Sequence, residues 1–442
     1  VSRKLFAGLF WALVPVAWGA DEAVKIEEPV HAGSQVKTKL HLVLRGTIQV
    51  DKKEMNVAGQ ALLVYPERVL AVGNEGTATE VARFYEDARA KFVTGQAEDP
   101  RQIRSDMRLA LGQSTEKGLE LWSPSGPYSS DETELIQDVL DTTQLPAFLP
   151  KKEVKKGDKW DPPQTAQARA CDLEEFITST IECTLKELTE EEATIGVSGK
   201  IHGLSFGSEV KSNIDATITF DRQENLITKV EWKQIDSRAP SPVSPAGAYE
   251  AMIKIERSAG ESPNLADGAI ANLNTKPDES ELLLSFEDPE KRFRFLHDRN
   301  WHVTLMEKDR AILRRLIGRN MVSQLNISVI AENKNIANLT AEQLQAMIIQ
   351  AGDIKIDEVV RSEDLQTDGP FQVRVVRAKG TKGNVELVQR HYVASDSTGR
   401  QLLFSFLTEP DHEAELGDRD LALVQSLDFA GSTASKKTTS PK

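Results

Sequence analysis

Two cysteines, Cys171 and Cys183, are all the thiols in 442 residues. Zinc wants four ligands at recognisable spacing, and only His202 lies near this pair, so no metal or other cofactor is expected. In an oxidising compartment an isolated pair suggests one disulfide; two buried free thiols on neighbouring strands are the alternative. Positive charge is also short. Asp and Glu number 68 against 54 Lys and Arg, a formal net charge of -14. That balance disfavours nucleic acid and anionic membrane as partners, since both carry negative charge. After residue 20 no apolar run reaches the ~20 residues a membrane span needs.

Catalytic signatures are missing as well. There is no HExxH, GxGxxG or P-loop. Ser114-Thr-Glu-Lys117 and Ser208-Glu-Val-Lys211 match SxxK by letters, but one reads as a polar turn and the other as a strand, where the chemistry needs a helix. Gly73-Asn-Glu-Gly76 and Gly380-Thr-Lys-Gly383 read as hairpin turns. His297 and His302 flank Trp301 and could meet across a hairpin, though a two-histidine site lacks partners. The chain is therefore expected not to be an enzyme.

What is present begins with residues 1–20. Arg3 and Lys4 precede an apolar stretch from Leu5 to Val16, and Ala17-Trp18-Gly19 supplies small residues before the acidic Asp21. This is the pattern of a cleavable signal peptide, and it predicts a bacterial protein exported to the periplasm or beyond. Residues 21–258 then alternate apolar and polar, as in LHLVLRGTIQV, which predicts a mainly antiparallel β domain forming a curved sheet or partial barrel. One helix is predicted over 129–141, with Ser130 able to cap it and Leu135, Ile136, Val139 and Leu140 as its stripe. Residues 259–281 are rich in turn formers and read as a linker, with a short helix at Leu265 to Leu273. Residues 282–430 mix strands with helices at 340–351 and 411–426. Thr340-Ala341-Glu342-Gln343 is a capping box, and Gly352 stands where a C′ glycine belongs. The tail, 431–442, reads as disordered.

The run Phe286-Glu-Asp-Pro-Glu-Lys-Arg-Phe293-Arg-Phe295, then Asn300-Trp301-His302-Val303, resembles the opening hairpin of PsbP-like domains. Tyr392 in a long strand, Gly399-Arg400 and the closing Ser426-Leu427-Asp428-Phe429 follow in that family's order. The resemblance implies an α/β/α sandwich over about 280–430, so the fold class expected for the whole chain is α+β. It implies a partner-binding or extrinsic role and transfers no binding residue. The N-terminal half is similar to uncharacterised exported proteins of planctomycete-type bacteria. That resemblance rests on Arg83-Phe84-Tyr85, Leu121-Trp122-Ser123-Pro124-Ser125-Gly126-Pro127-Tyr128, Leu149-Pro150, Gly157-Asp158-Lys159-Trp160 and Gly199-Lys-Ile-His-Gly203.

Arg310, Arg314, Arg315 and Arg319 concentrate positive charge against the acidic background. They are a candidate contact patch for an acidic partner, with a solvated strand end as the plain alternative. Trp122, Trp160, Trp232 and Trp301 are expected in the core. The function expected is a non-catalytic envelope protein that binds a protein partner or serves a structural role. The alternative is a carrier of an apolar small molecule on the concave face of the N-terminal sheet.

Overall fold

A computed structural model describes residues 23–73, 76–137, 140–330, 340, 342–343, 345–346, 355–367 and 369–431. The expected signal peptide, the tail beyond Gly431, Gly352 and most of the 340–351 helix lie outside the described residues.

Alternation becomes one large sheet. Eleven strands follow one another in the order Lys159–Trp160, Glu182–Leu188, Glu192–Ser205, Ser208–Asp221, Leu226–Arg238, Ala246–Ala259, Gln35–Val50, Lys53–Val72, Ala78–Phe84, Leu109–Thr115 and Gly118–Trp122. Glu175–Ser179, Asp87–Thr94 and Ala97–Gln102 branch from it. The first and last strands of the path do not pair with each other, so the sheet is open and not a closed barrel.

One face of this sheet is apolar because every second residue points to it. Leu40, Leu63, Tyr65, Ile255, Trp232, Ala216 and Val197 share a core with a cover built from residues 130–173. The cover holds the helix Ser130–Gln137, the 3-10 turn Thr142–Phe148 and the helix Gln164–Ala170. Phe148 meets Trp232 edge-on at 5.9 Å, and Trp160 Nε1 donates to the Phe148 carbonyl at 2.9 Å. The first helix is capped one residue earlier than its sequence indicated. Ser129 Oγ accepts from Glu132 N–H at 3.1 Å, and the Glu132 carboxylate accepts from Ser129 N–H at 2.9 Å, a reciprocal box.

Two buried ion pairs tie the half together. Arg83 donates to Glu67 at 2.7 Å under the Tyr65 ring. Arg257 holds Glu28 through both guanidinium nitrogens, at 2.7 and 2.9 Å. The segment read as a linker lies against the sheet. Leu265 is fully buried with Ala82, Leu111 and Trp122, and Arg68 donates to its carbonyl at 2.8 Å. Of the helix expected there, the turn Pro263–Leu265 and the helix Asp267–Ile270 form.

The C-terminal part has its own core around a seven-stranded antiparallel sheet. Its order is Trp301–Met306, Arg310–Ile317, Asn320–Ile330, Gln401–Thr408, Val385–Asp396, Phe371–Lys382, Lys355–Leu365. Leu284–Glu287, Phe293–His297 and Asp428–Phe429 form a small sheet beside it. Leu416, Leu423 and Val424, from the helices Glu413–Leu416 and Arg419–Gln425, pack into the core with Phe404 and Phe406.

The α+β expectation, with its α/β/α sandwich, is overturned. Strands make up 58% of the described residues and helices 12%, so the chain is a β-rich fold of large antiparallel sheets. The apolar stripes read as helices over 129–141 and 411–426 deliver pieces of one or two turns, Ser130–Gln137, Glu413–Leu416 and Arg419–Gln425. The strands run longer than their strictly alternating stretches, as in Lys53–Val72, a single strand of 20 residues.

Gly380 also differs from its sequence reading. It sits within Phe371–Lys382, and the turn falls at Gly383, with φ 60°. The edge strand shifts register between Ile356 and Glu358, which brings the Lys355 carbonyl inward. A Cβ on residue 380 would lie 1.8 Å from that oxygen. Gly380→Ala is therefore expected to lower stability by about 1–3 kcal/mol through forced backbone movement. Chemical denaturation measures this, and an unchanged midpoint would contradict the close approach.

Candidate functional site

A cleft of about 1750 Å³ opens between the two parts of the chain. Turns position its walls. The Thr115–Gly118 turn is closed by Thr115 Oγ1 donating to the Gly118 carbonyl at 3.0 Å, and Arg169 holds it by donating to Ser114 Oγ at 2.7 Å. At another hairpin tip Phe206 and Gly207 take φ of 49° and 68°. The tip presses on the C-terminal part: a Cβ on Gly207 would meet Leu316 Cδ1 at 3.3 Å, and the Phe206 ring stands edge-on to His302 at 5.5 Å.

Hydrogen bonds join the parts on either side of the cleft. Arg299 donates to the carbonyls of Leu282 and Leu121 at 2.9 and 2.6 Å and to Gln137 at 2.9 Å. Ser285 N–H donates to the Tyr128 carbonyl at 2.8 Å, and Arg314 donates to the Pro242 carbonyl. The geometry makes one wall from each part.

Acidic side chains dominate the exposed lining. Glu116, Asp131, Glu134, Asp172 and Glu174 come from the first part, Glu279 from the connection, and Glu287 and Asp418 from the second. Exposed cations on the same lining are Lys117 and Arg419. Asp172, Glu174 and Asp236 are held above the usual carboxylate range. Crowding by protein is the first cause for all three. Arg238 opposes it, and at Asp172 repulsion from the other two carboxylates adds to it. Asp172 opens onto the cleft. Nothing in the sequence marked this group, because its members come from separate segments that only the hairpin tips bring together.

His297 and His302 sit in strands that do not pair, close enough for each other's charge to be felt. His297 is 2% exposed; its Nδ1 lies 2.9 Å from the Asp298 carbonyl, and its Nε2 has no hydrogen-bond partner among the described residues. Burial lowers the basicity of both, that of His302 to about 4 with His297 adding repulsion. Among the described residues no three His, Cys, Asp or Glu converge as a metal site.

The arginine cluster is dispersed. Arg310 is exposed, Arg314 reaches Pro242 of the first part, and Arg315 is buried 3.5 Å from the Asp298 carboxylate. Arg319 is exposed beside Gly207. Alternation along the strand, with a bulge after Arg315, sends neighbours to opposite faces. Cys171 and Cys183, weighed as a disulfide, are separate buried thiols in this structure. Trp122, Trp160, Trp232 and Trp301 are all buried.

No family model and no curated protein matches the chain. Among solved structures, cyanobacterial PsbP (CyanoP) from Synechocystis sp. PCC 6803 is similar over 33% of this chain and 92% of that one, at 16% identity and a TM-score of 0.27. Lipovitellin is similar over 53% of this chain at 6% identity and a TM-score of 0.29, and the chain spans only 26% of its length. The translocator domain of NalP from Neisseria meningitidis matches at 8% identity and a TM-score of 0.14, over 86% of this chain and 88% of that one. No helix among the described residues is long and apolar enough to cross a membrane.

Proposed function

We propose that this chain is an exported, non-catalytic binding protein of the cell envelope that receives a basic segment of a protein partner in the cleft between its two parts. The carrying observation is the lining itself: eight exposed carboxylates, of which Asp131 and Glu134 share the half-buried Arg101, against two exposed cations, on walls held in place by the Arg299 and Arg314 contacts. Fixed walls lower the cost of ordering a site on binding, and charge complementarity selects the partner and steers its approach. The overall charge of -14 favours the same class of partner.

Fluorescence anisotropy with a labelled lysine-rich peptide, and a glutamate-rich peptide as control, tests the reading. The basic peptide is expected to bind and to weaken as salt is raised. The double reversal Asp172→Lys, Glu174→Lys is expected to weaken it by ~10-fold or more. Equal binding of both peptides, or no effect of the reversal, would remove the reading.

The carrier reading has one observation in its favour. The large sheet outruns its cover, leaving Leu44, Ile48, Met55, Val57 and Tyr249 half-buried on the covered face. Closer to the cover that face is filled by the chain's own Phe148, Leu145 and Leu135. Native mass spectrometry of gently purified protein discriminates: an added small mass lost on denaturation supports a carrier, and a bare mass counts against one.

A further inference from the structure

His302 lies in the contact between the two parts, and His297 lies behind it in the same wall. On one side is the Phe206 ring of the first part, at 5.5 Å. From the 115–118 turn Lys117 faces His302, and across the strand pair its partner is Arg314. Asp298 faces both histidines. That carboxylate is already engaged at 3.5 Å by Arg315 and at 3.5 Å by Arg419. Nearby Arg299 is matched by Glu120 at 3.4 Å. Around the histidines, then, Asp298 serves Arg315 and Arg419, Glu415 also acts on Arg315, and Lys117 and Arg314 are close. Among the described residues the carboxylate that faces both imidazoles, Asp298, is already shared by two arginines, which leaves little to neutralise two imidazolium ions.

We infer that acid separates the two parts of the chain at this contact, by charging His302 and His297 in a wall with little to neutralise them. This does not depend on what the cleft binds. Two added charges would repel each other and the surrounding cations, and separation gives up the Phe206 contact together with the Arg299, Arg314 and Ser285 hydrogen bonds between the parts. Both histidines are less basic when docked than when open to water. Below their ordinary value of 6.5 the open form takes up protons that the docked form refuses, so docking weakens as pH falls from 6.5 toward about 4.

Small-angle scattering across this range tests it, with circular dichroism to confirm that the sheets persist. The radius of gyration is expected to rise as pH falls while the strand signal stays constant. His302→Phe keeps a ring against Phe206 and removes the charge; it is expected to move the rise to lower pH by about one unit. Adding His297→Gln is expected to move it further. If the wild type stays compact while its strand signal persists down to pH 4, or if wild type and His302→Phe expand together, the inference is overturned. Should the double variant fail to fold, the single His302→Phe comparison decides.

Discussion

Arg257→Ala is expected to lose about 3–5 kcal/mol of unfolding free energy, because it leaves a carboxylate buried without its counter-ion. Glu28 and Arg257 are only 6% and 5% exposed at their side chains. Each Glu28 oxygen accepts from a different guanidinium nitrogen, and Oε2 also accepts from Ile227 N–H at 2.8 Å. Removing the guanidinium keeps that one backbone bond and strands most of the charge. The double variant Arg257→Met, Glu28→Leu removes both ions and fills their volume. It is expected to recover most of the loss, since a buried pair contributes little net stability over apolar replacements. Urea unfolding of the three proteins measures this. A double variant as unstable as the single would mean that the pair holds the fold by more than mutual neutralisation.

Asp420→Ala is expected to cost about 3 kcal/mol or more in the C-terminal core. Asp420 is fully buried and accepts from Tyr392 Oη–H at 2.6 Å and from Arg390 at 3.0 and 3.1 Å. Arg390 also donates to the Gly417 carbonyl at 2.8 Å and to Glu413 at 3.0 Å, so one guanidinium fastens the start of the last helix and the turn before it. Without Asp420, a phenol and part of a guanidinium lose their acceptor inside the core. The helix Arg419–Gln425 should loosen first. Limited proteolysis is expected to cut there in the variant at temperatures where the wild type resists. Equal resistance would show that Leu423 and Val424 hold the helix unaided.

Strands were legible in this sequence wherever one face is buried and the other wet, because period two is then written into the residues. Leu226–Arg238 and Ala246–Ala259 follow their alternating stretches closely. The box at Thr340 was equally legible, being local: Thr340 N–H donates to Gln343 Oε1 at 2.8 Å, and Gln343 N–H to Thr340 Oγ1 at 3.3 Å. Lys355–Leu365 was not legible, since two register shifts break its period and most of its residues are exposed. The helices were overstated for a related reason. A stripe such as Leu135, Ile136 and Leu140 needs only two turns to reach the core, and the chain then leaves the helix. The site was least legible. Asp172 and Arg238 come near each other only on folding, and acidic residues are too common here for any one to stand out.

The middle of the large sheet carries a consequence for how the chain reaches this fold. Gln35–Val50 is hydrogen-bonded along its whole length to Ala246–Ala259, with Leu40 opposite Ile255. The early strand therefore waits for one made some two hundred residues later, and closing so long a loop slows assembly. A chain delivered from its N-terminus onward would hold Gln35–Val50 paired on one side only, to Lys53–Val72, until residue 259 arrived. Completion of the sheet would then be a late, single event, and the interval before it is when an unfolded chain is open to transport, chaperones or proteases.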